Sequence, residues 1–288
     1  MNENSVGFIG LGNMGSPMAA NLANGDWPLV VHDAAGTRER APARATSAES
    51  VAEVASQAAV VLLSLPDSTV VDAVSEAILA APSLVTKRVI DTSTIGIAQA
   101  RGIHAKLAAG GIEYVDAPVS GGVAGARAGS VSIMVAAPAS SFEELRPLLE
   151  CFTGNIFHVG TEAGQGQAMK VLNNFLSGTA MAATSEAIAF GDSQGLDLET
   201  MLGVLNVSTG RNTASSDKFV NRILTQSYDA GFSCTQMNKD LGLYREGLAA
   251  SAVADPVSGA VAAIWRRFLD ASANADITRI YPFIKNNS

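Results

Sequence analysis

The stretch "SVGFIGLGNMGSPMAANL", residues 5–22, sets three glycines directly behind a short apolar run and ahead of a helix-forming segment. Val6, Phe8 and Ile9 read as a buried strand, and Met18 to Leu22 as the start of a helix. Gly10, Gly12, Asn13, Met14 and Gly15 then fall in the connecting turn, with the glycines in the G-x-G-x-x-G spacing. In a strand–turn–helix unit the first glycine permits the tight turn and the second lets a pyrophosphate approach the backbone. The third lets helix and strand pack closely, while the helix N-terminus offers N–H groups to phosphate. A glycine-rich turn without a ligand has the same spacing. The flanking elements and an acid further on favour the dinucleotide reading.

That acid is Asp33, at the end of a second apolar run, Leu29 to Val31, and 21 residues after Gly12. An acid about 20 residues beyond the loop meets the adenosine ribose in such units. A carboxylate there accepts bonds from both ribose hydroxyls and repels a 2′-phosphate, so NAD is the expected cofactor. NADP stays open, because Arg38 lies in the same loop and can swing toward a phosphate. Asp33 could also simply cap its loop. His32 reads as a strand-end residue, since nothing nearby in sequence pairs with it.

Composition narrows the class. The 288 residues are 48% hydrophobic and only 16% charged, enough for a sizeable core in two domains or one large one. A net charge of −8 argues against nucleic-acid or anionic-membrane partners. No run approaches 18 uninterrupted apolar residues, and the opening "MNENS" lacks the basic start of a secretory leader. Two distant cysteines, Cys151 and Cys234, form no redox or zinc pattern, and three isolated histidines argue against a metal site or a triad. A cytoplasmic protein is expected.

Along the first 160 residues, strand-like runs alternate with helical segments, among them Ser68 to Leu79 and Ile97 to Ala109. This pattern predicts a parallel sheet with helices on both faces. Ligands bind at the strand ends of such sheets, so "LSLPD" (63–67, with Leu65 and Pro66) and "DTST" (91–94) should line the cofactor crevice. Ser93 and Thr94 also suit an ordinary helix cap. From Gly164 the character changes to helix alone, and across Gln165 to Gly191 only Lys170 and Glu186 are ionisable. The fold class expected is α/β: a Rossmann-like doubly wound sheet over residues 1–163, then an all-helical domain over 164–288, built around a long buried helix.

Lys170 stands out, because a lysine on a buried helix is costly unless its charge is used or removed. Asn174, four residues on, shares its helix face. A desolvated lysine exchanges protons nearer neutrality, and an amide beside it can orient a hydroxyl or carbonyl. A lysine snorkelling from the helix end is the plainer alternative. Gly164 and Gly166 permit close approach of backbone or ligand where the helix begins. In "DAPVSGGVAGARAGS" (116–130), Ser120, Gly121 and Gly122 follow a strand and can expose N–H groups to a carboxylate, or form a hairpin-like connection. Lys239 and Asp240 open a late helix, where a solvated lysine is the ordinary reading.

Four ordered motifs, "FIGLGNMGSPMA", "DAPVSGGVAGARAGS", "GQGQAMKVLNN" and "KDLGL", resemble the β-hydroxyacid dehydrogenases, over roughly residues 5–283. The resemblance implies a Rossmann-like domain, a helical domain and oxidation of a small 3-hydroxy acid by hydride transfer to NAD or NADP. By match, Lys170 is the general acid/base and Asn174 its partner in positioning substrate. Ser120, Gly121 and Gly122 match the substrate loop, Leu65 and Thr94 the cofactor contacts, and Lys239 a lysine near the nicotinamide. That overrides the ordinary reading of Lys239. Ile97 replaces the family's usual proline, which removes no reactive group. The segment "NVSTGRNTASS" (206–216) is expected to face the far end of the substrate, and Arg211, Asn212 and Thr213 do not decode into one compound. Imine reductases share the two-domain plan but generally lack the lysine, and a non-catalytic dinucleotide sensor would lose the Lys170–Asn174 pair. The Ala-rich, charge-poor helices point to a homodimer or homotetramer.

Overall fold

The computed structural model describes residues 5–286; the polar opening stretch, up to Asn4, lies outside them. The chain divides into two compact units, Met1–Lys170 and Val171–Ser288.

The first unit holds strands β1 (Val6–Ile9), β2 (Leu29–His32), β3 (Thr46–Ser47), β4 (Val60–Leu63), β5 (Arg88–Asp91), β6 (Glu113–Asp116), β7 (Val119–Ser120), β8 (Val131–Ala136) and β9 (Thr153–Gly160). Between them run helices α1 (Gly15–Ala23), α2 (Val51–Ala55), α3 (Ser68–Leu79), α4 (Ile97–Ala109), α5 (Gly122–Ala128) and α6 (Ala139–Glu150). Six strands pair in parallel in the order β3-β2-β1-β4-β5-β6, with Val6 opposite both Leu29 and Val60. Chain order reverses between β1 and β4, which opens a crevice at their C-terminal ends. The central strands β1 and β4 carry no polar side chain because both of their faces are covered. Phe8, Leu62 and Ile90 pack with Met18, Leu22 and Phe142 on one side. Ile9, Val61 and Leu63 pack with Val54, Ile78 and Leu107 on the other.

The parallel sheet expected from sequence is present, and it gains an antiparallel strand at its far edge. β8 runs antiparallel to both β6 and β7, and β9 joins β8 in parallel. The short link from Ser120 to Val131 turns the chain back on itself, whereas a parallel neighbour needs a full crossover.

Helix α7 (Gln165–Ser193) begins in the first unit and continues through the second, which adds α8 (Leu198–Asn206), a π-helix (Ala214–Ile223), α9 (Cys234–Ala249), α10 (Ser258–Ala271), a 3-10 turn (Ile277–Arg279) and α11 (Ile280–Asn286). Side-chain caps start three of these elements: Asp197, Ser233 (as a capping box with Gln236) and Asp276. The second core gathers Met181, Ile188, Phe219, Met237, Trp265 and Phe268. Trp265 donates its indole N–H to the Gly178 carbonyl of α7, 3.1 Å away. Gly178 allows α9 and α10 to close on α7: an added Cβ would lie 2.9 Å from the Met237 sulfur and 3.4 Å from the indole nitrogen. The expectation that α7 is buried all round is not met by the single chain. Leu176 is 60% exposed and Phe190 68%, and Leu172 is also open. These residues fall on one helical stripe that the described residues leave uncovered.

Candidate active site

The three glycines of the β1–α1 turn answer to different constraints. Gly10 has φ +94°, and an added Cβ there would strike the Ser64 carbonyl. One on Gly15 would strike the Gly10 carbonyl. One on Gly12 would meet nothing within 4 Å. Folding therefore demands Gly10 and Gly15, while Gly12 opens onto a cleft of about 430 Å³ lined by Asn13, Ser16, Arg40 and Arg127, among others. Helix α1 starts at this cleft with no side-chain cap on its N-terminus. A bare glycine backbone, an uncapped helix start and two guanidinium groups fit a dinucleotide pyrophosphate.

Asp33 closes the same loop. Its Oδ2 accepts from Leu11 N at 2.6 Å and its Oδ1 from Ala35 N at 2.8 Å, which fixes the carboxylate beside the glycine turn. The cation beside it is Arg40, 3.5 Å away. Arg38, the arginine singled out from sequence, pairs instead with Glu49 at 2.9 Å in solvent. His32 bonds the Ala48 carbonyl, as befits a strand end.

Across the crevice, Leu65 lies against Gly10, with its Cδ2 2.9 Å from where a Cβ would stand. Leu65 N donates to Ser93 Oγ at 2.9 Å, joining the loops after β4 and β5. Pro66 follows in the same turn, before Asp67 caps α3. Thr94 sits in the β5 loop, between Ser93 and Ile95, both fully buried. Beneath it, Asp91 accepts from Ser93 N at 2.9 Å and from the Tyr114 hydroxyl at 3.0 Å. Burial pushes the Asp91 carboxyl up from 3.8 to about 6, opposed by bonds from the Ser93 hydroxyl, the Ser93 N–H and the Tyr114 hydroxyl and helped a little by the charge of Asp116. Burial likewise raises Asp116, against the bonds it receives from Gln167 and Gly164. The Tyr114 hydroxyl, buried beside two carboxylates, is held well above its usual range.

Ser120, Gly121 and Gly122 form the end of β7 and the start of α5, with Ser120 opposite Ser132 of β8. The loop is thus both an antiparallel turn-back and an uncapped helix start. Asn21 of α1 donates to the Ala126 carbonyl of α5 at 2.8 Å, so this loop is tied to the helix of the glycine turn.

Lys170 ends the first unit on α7 and is only 8% exposed. In the second unit, Asn174 donates to Asp240 Oδ2 at 2.6 Å, and Lys239 lies 3.7 Å from Asp240 Oδ1. One buried carboxylate therefore brings Asn174 and Lys239 together. Phe175 stacks on Tyr244 at 4.3 Å beside this group and holds α7 to α9. Within the far segment, Asn212 accepts from Ala214 N and Ser215 N and donates to Thr184, so it anchors the π-helix. Sequence reasoning gave no role to Asp116, Gln167, Arg40 or Asp240. A buried acid beside Lys239 was visible as the "KD" pair, whereas Asp116 and Gln167 are recognised only by contacts between distant segments and Arg40 only by how its loop folds.

A Rossmann sheet with an open glycine loop and an acid fixed beside it, continued by a long helix that carries a buried lysine, fits a nicotinamide-dependent oxidoreductase. Residues 5–160 match the family described as the NAD binding domain of 6-phosphogluconate dehydrogenase. Residues 164–284 match that described as the NAD-binding domain of NADP-dependent 3-hydroxyisobutyrate dehydrogenase. An NAD-dependent L-serine dehydrogenase of Pseudomonas aeruginosa is 37% identical, covering 92% of each chain. A 3-hydroxyisobutyrate dehydrogenase of the same organism is 38% identical, over 94% of this chain and 93% of that one. The solved 3-hydroxyisobutyrate dehydrogenase of Mycobacterium tuberculosis with L-serine superposes with a TM-score of 0.90 at 34% identity, covering 98% of this chain and 99% of that one. The chain belongs to the β-hydroxyacid dehydrogenase family and is an NAD(P)-dependent 3-hydroxyacid dehydrogenase.

Proposed function

We propose that this enzyme interconverts a small 3-hydroxy acid and its semialdehyde, with Lys170 as the general acid/base. The observation that carries the reading is a nearly buried lysine on the leading helix of a dehydrogenase. A lysine amine held largely out of water within reach of a substrate hydroxyl can exchange a proton with it. When bound, the nicotinamide ring accepts or returns the hydride. Lys170 takes the proton from the substrate hydroxyl during oxidation and returns it during reduction. Asn174, its amide turned by Asp240, orients that oxygen, and Lys239 contacts the nicotinamide end. The Ser120 hydroxyl and the N–H groups of Gly121 and Gly122 hold the carboxylate.

The relatives support a substrate outline. L-Serine and 3-hydroxyisobutyrate share a primary alcohol one carbon from a carboxyl-bearing carbon and differ only in an ammonium or a methyl there. The substrate proposed here has that outline, HO–CH2–CH(R)–COO⁻.

NAD is the preferred cofactor in this reading, because Asp33 stands beside the glycine turn, where an acid meets the adenosine ribose in such folds, and Arg38 is engaged elsewhere. Arg40 offsets part of the Asp33 charge, which leaves some tolerance for NADP. The exposed stripe of α7 supports self-association as a dimer or tetramer. The free thiols Cys151 and Cys234 suit a reducing, cytoplasmic setting.

Lys170→Met tests the chemistry. Turnover of 3-hydroxyisobutyrate or L-serine with NAD should fall by roughly 10²–10⁴ while NAD affinity is nearly unchanged. Retention of more than about a tenth of the wild-type rate would remove Lys170 from the reaction.

A further inference from the structure

The first turn of α7 is held by a closed set of hydrogen bonds, at whose centre is Gln167, fully buried. Its Oε1 accepts from Ile95 N at 2.9 Å and from Gly96 N at 3.2 Å. Its Nε2 donates to the Ser93 carbonyl at 3.1 Å and to Asp116 Oδ1 at 2.8 Å. A glutamine amide has two donor hydrogens and two acceptor positions, and all four are used. Turned over, the amide would place its NH2 against two N–H donors and its oxygen against a carbonyl and a carboxylate. Only one orientation is possible.

Asp116 completes the set. Its Oδ2 accepts from Gly164 N at 2.8 Å and from Gln167 N at 3.1 Å, so a buried carboxylate seats the N-terminus of α7. Gly166 lets the helix come this close: a Cβ there would lie 2.8 Å from the Asp116 and Met134 carbonyl oxygens. The close approach that Gly166 permits is therefore one of helix backbone onto β6 and β8, while Gly164 lies against Ile97.

The two ends of the Gln167 amide reach different parts of the proposed reaction. The Ser93 carbonyl and the Ile95 N–H flank Thr94 on either side, so one amide grips the backbone around a cofactor-contact residue. Gln167 itself stands three residues before Lys170, one turn earlier on the same helix. We infer that Gln167, seated by Asp116, is a positioning residue: it sets the placement of the Lys170 turn relative to the Thr94 loop. The inference rests on the reading of Lys170 and Thr94 given above. Hydride and proton transfer require reacting groups in near-attack geometry, and a displacement of about 1 Å costs about 10²-fold in rate.

Two substitutions test it. Gln167→Met keeps the volume and removes all four bonds. Gln167→Glu keeps the shape, and its neutral carboxyl can still donate to Asp116, whereas its carboxylate cannot. Hydrogen exchange on the cofactor-free protein should show Gln167→Met losing protection at Ile95 and Gly96 together with Gly164 and the backbone amide at position 167. With NAD and whichever of 3-hydroxyisobutyrate and L-serine the wild type turns over faster, kcat should fall about 10²-fold. KM and the calorimetric NAD Kd should stay within about threefold, and the deuterium isotope effect at the carbinol carbon should increase. For Gln167→Glu, kcat should decline relative to wild type as pH rises, because the carboxyl, crowded by Asp116, ionises well above the ordinary glutamate range. Loss of protection on one side only, or kcat of Gln167→Met within about threefold of wild type, would overturn the inference. Should Gln167→Met fail to fold, the pH profile of Gln167→Glu decides, and a profile parallel to wild type overturns it. Failure of the Lys170 reading appears separately, as turnover retained in Lys170→Met, and leaves the exchange result to report on the loop–helix link alone.

Discussion

Replacing Asp91 by asparagine should make the protein more stable at neutral pH and less sensitive to pH. Asp91 is fully buried at the end of β5 and is bonded by the Ser93 N–H and hydroxyl and by the Tyr114 hydroxyl, yet no cation answers its charge among the bonds it makes. Its carboxyl titrates near 6 rather than at the ordinary 3.8, chiefly because burial disfavours the ionised form. Between about pH 4 and pH 6 the folded chain holds a proton there that the unfolded chain has released. The contribution of Asp91 to stability therefore falls as pH rises through that window and stays low above it. At about 1.4 kcal/mol per pKa unit, the full loss is about 3 kcal/mol. Asparagine keeps an acceptor for Ser93 N and leaves its NH2 facing the Tyr114 oxygen, which can accept. Some of the gain is spent in re-forming these bonds, so Asp91→Asn should gain about 1–3 kcal/mol at pH 8 and almost nothing at pH 4. Urea unfolding across pH 4 to 8, followed by Trp27 fluorescence in the same unit, measures the difference. A variant as stable as wild type or less so at pH 8, or a difference that does not change with pH, would refute the desolvation argument.

Ser120→Ala should raise the KM of the acid substrate by about 10- to 150-fold, since a hydroxyl donor to a charged group is worth about 1.5–3 kcal/mol; neutral amide analogues turned over as well as the free acid would show that the loop binds no carboxylate. The double change Asp33→Asn with Ala34→Arg should move kcat/KM from NAD toward NADP, and a wild type already more efficient with NADP would show that Arg40 outweighs Asp33. Light scattering at micromolar concentration should give a multiple of 29.6 kDa, and Leu176→Glu with Phe190→Glu should return the monomer; a wild-type monomer would leave the α7 stripe unexplained.

What could be read from sequence was local. The strand–glycine–helix order at residues 5–22 repeats in space as written, because each part depends on neighbours a few residues away. Helices α3 and α4 likewise begin and end where their patterns do. The antiparallel β8 was hidden, since an apolar run such as Val131–Ala136 carries no mark of direction. Nor could the loop after β2 show that Arg38 turns to Glu49 while Arg40 turns to Asp33. Both arginines have the reach, and folding of the loop chooses. Gln167 and Asp116 are 51 positions apart, so their pairing has no signature in either segment alone. The charge-poor character of α7 was read correctly, but it suits a face covered by the same chain and one left for a copy equally well.

The division of labour among the three turn glycines bears on how such a sequence ages. Gly10 and Gly15 are bound to the chain's own backbone, and losing either would spoil the join of β1 to α1 whatever the protein does. Gly12 has no such obligation, since alanine there would meet only the open cleft. A descendant that kept this fold but abandoned redox work would have every reason to retain the outer two glycines and none to retain the middle one. The middle glycine is thus the position at which a lapsed enzyme of this architecture would first betray itself, well before its fold showed any sign of decay.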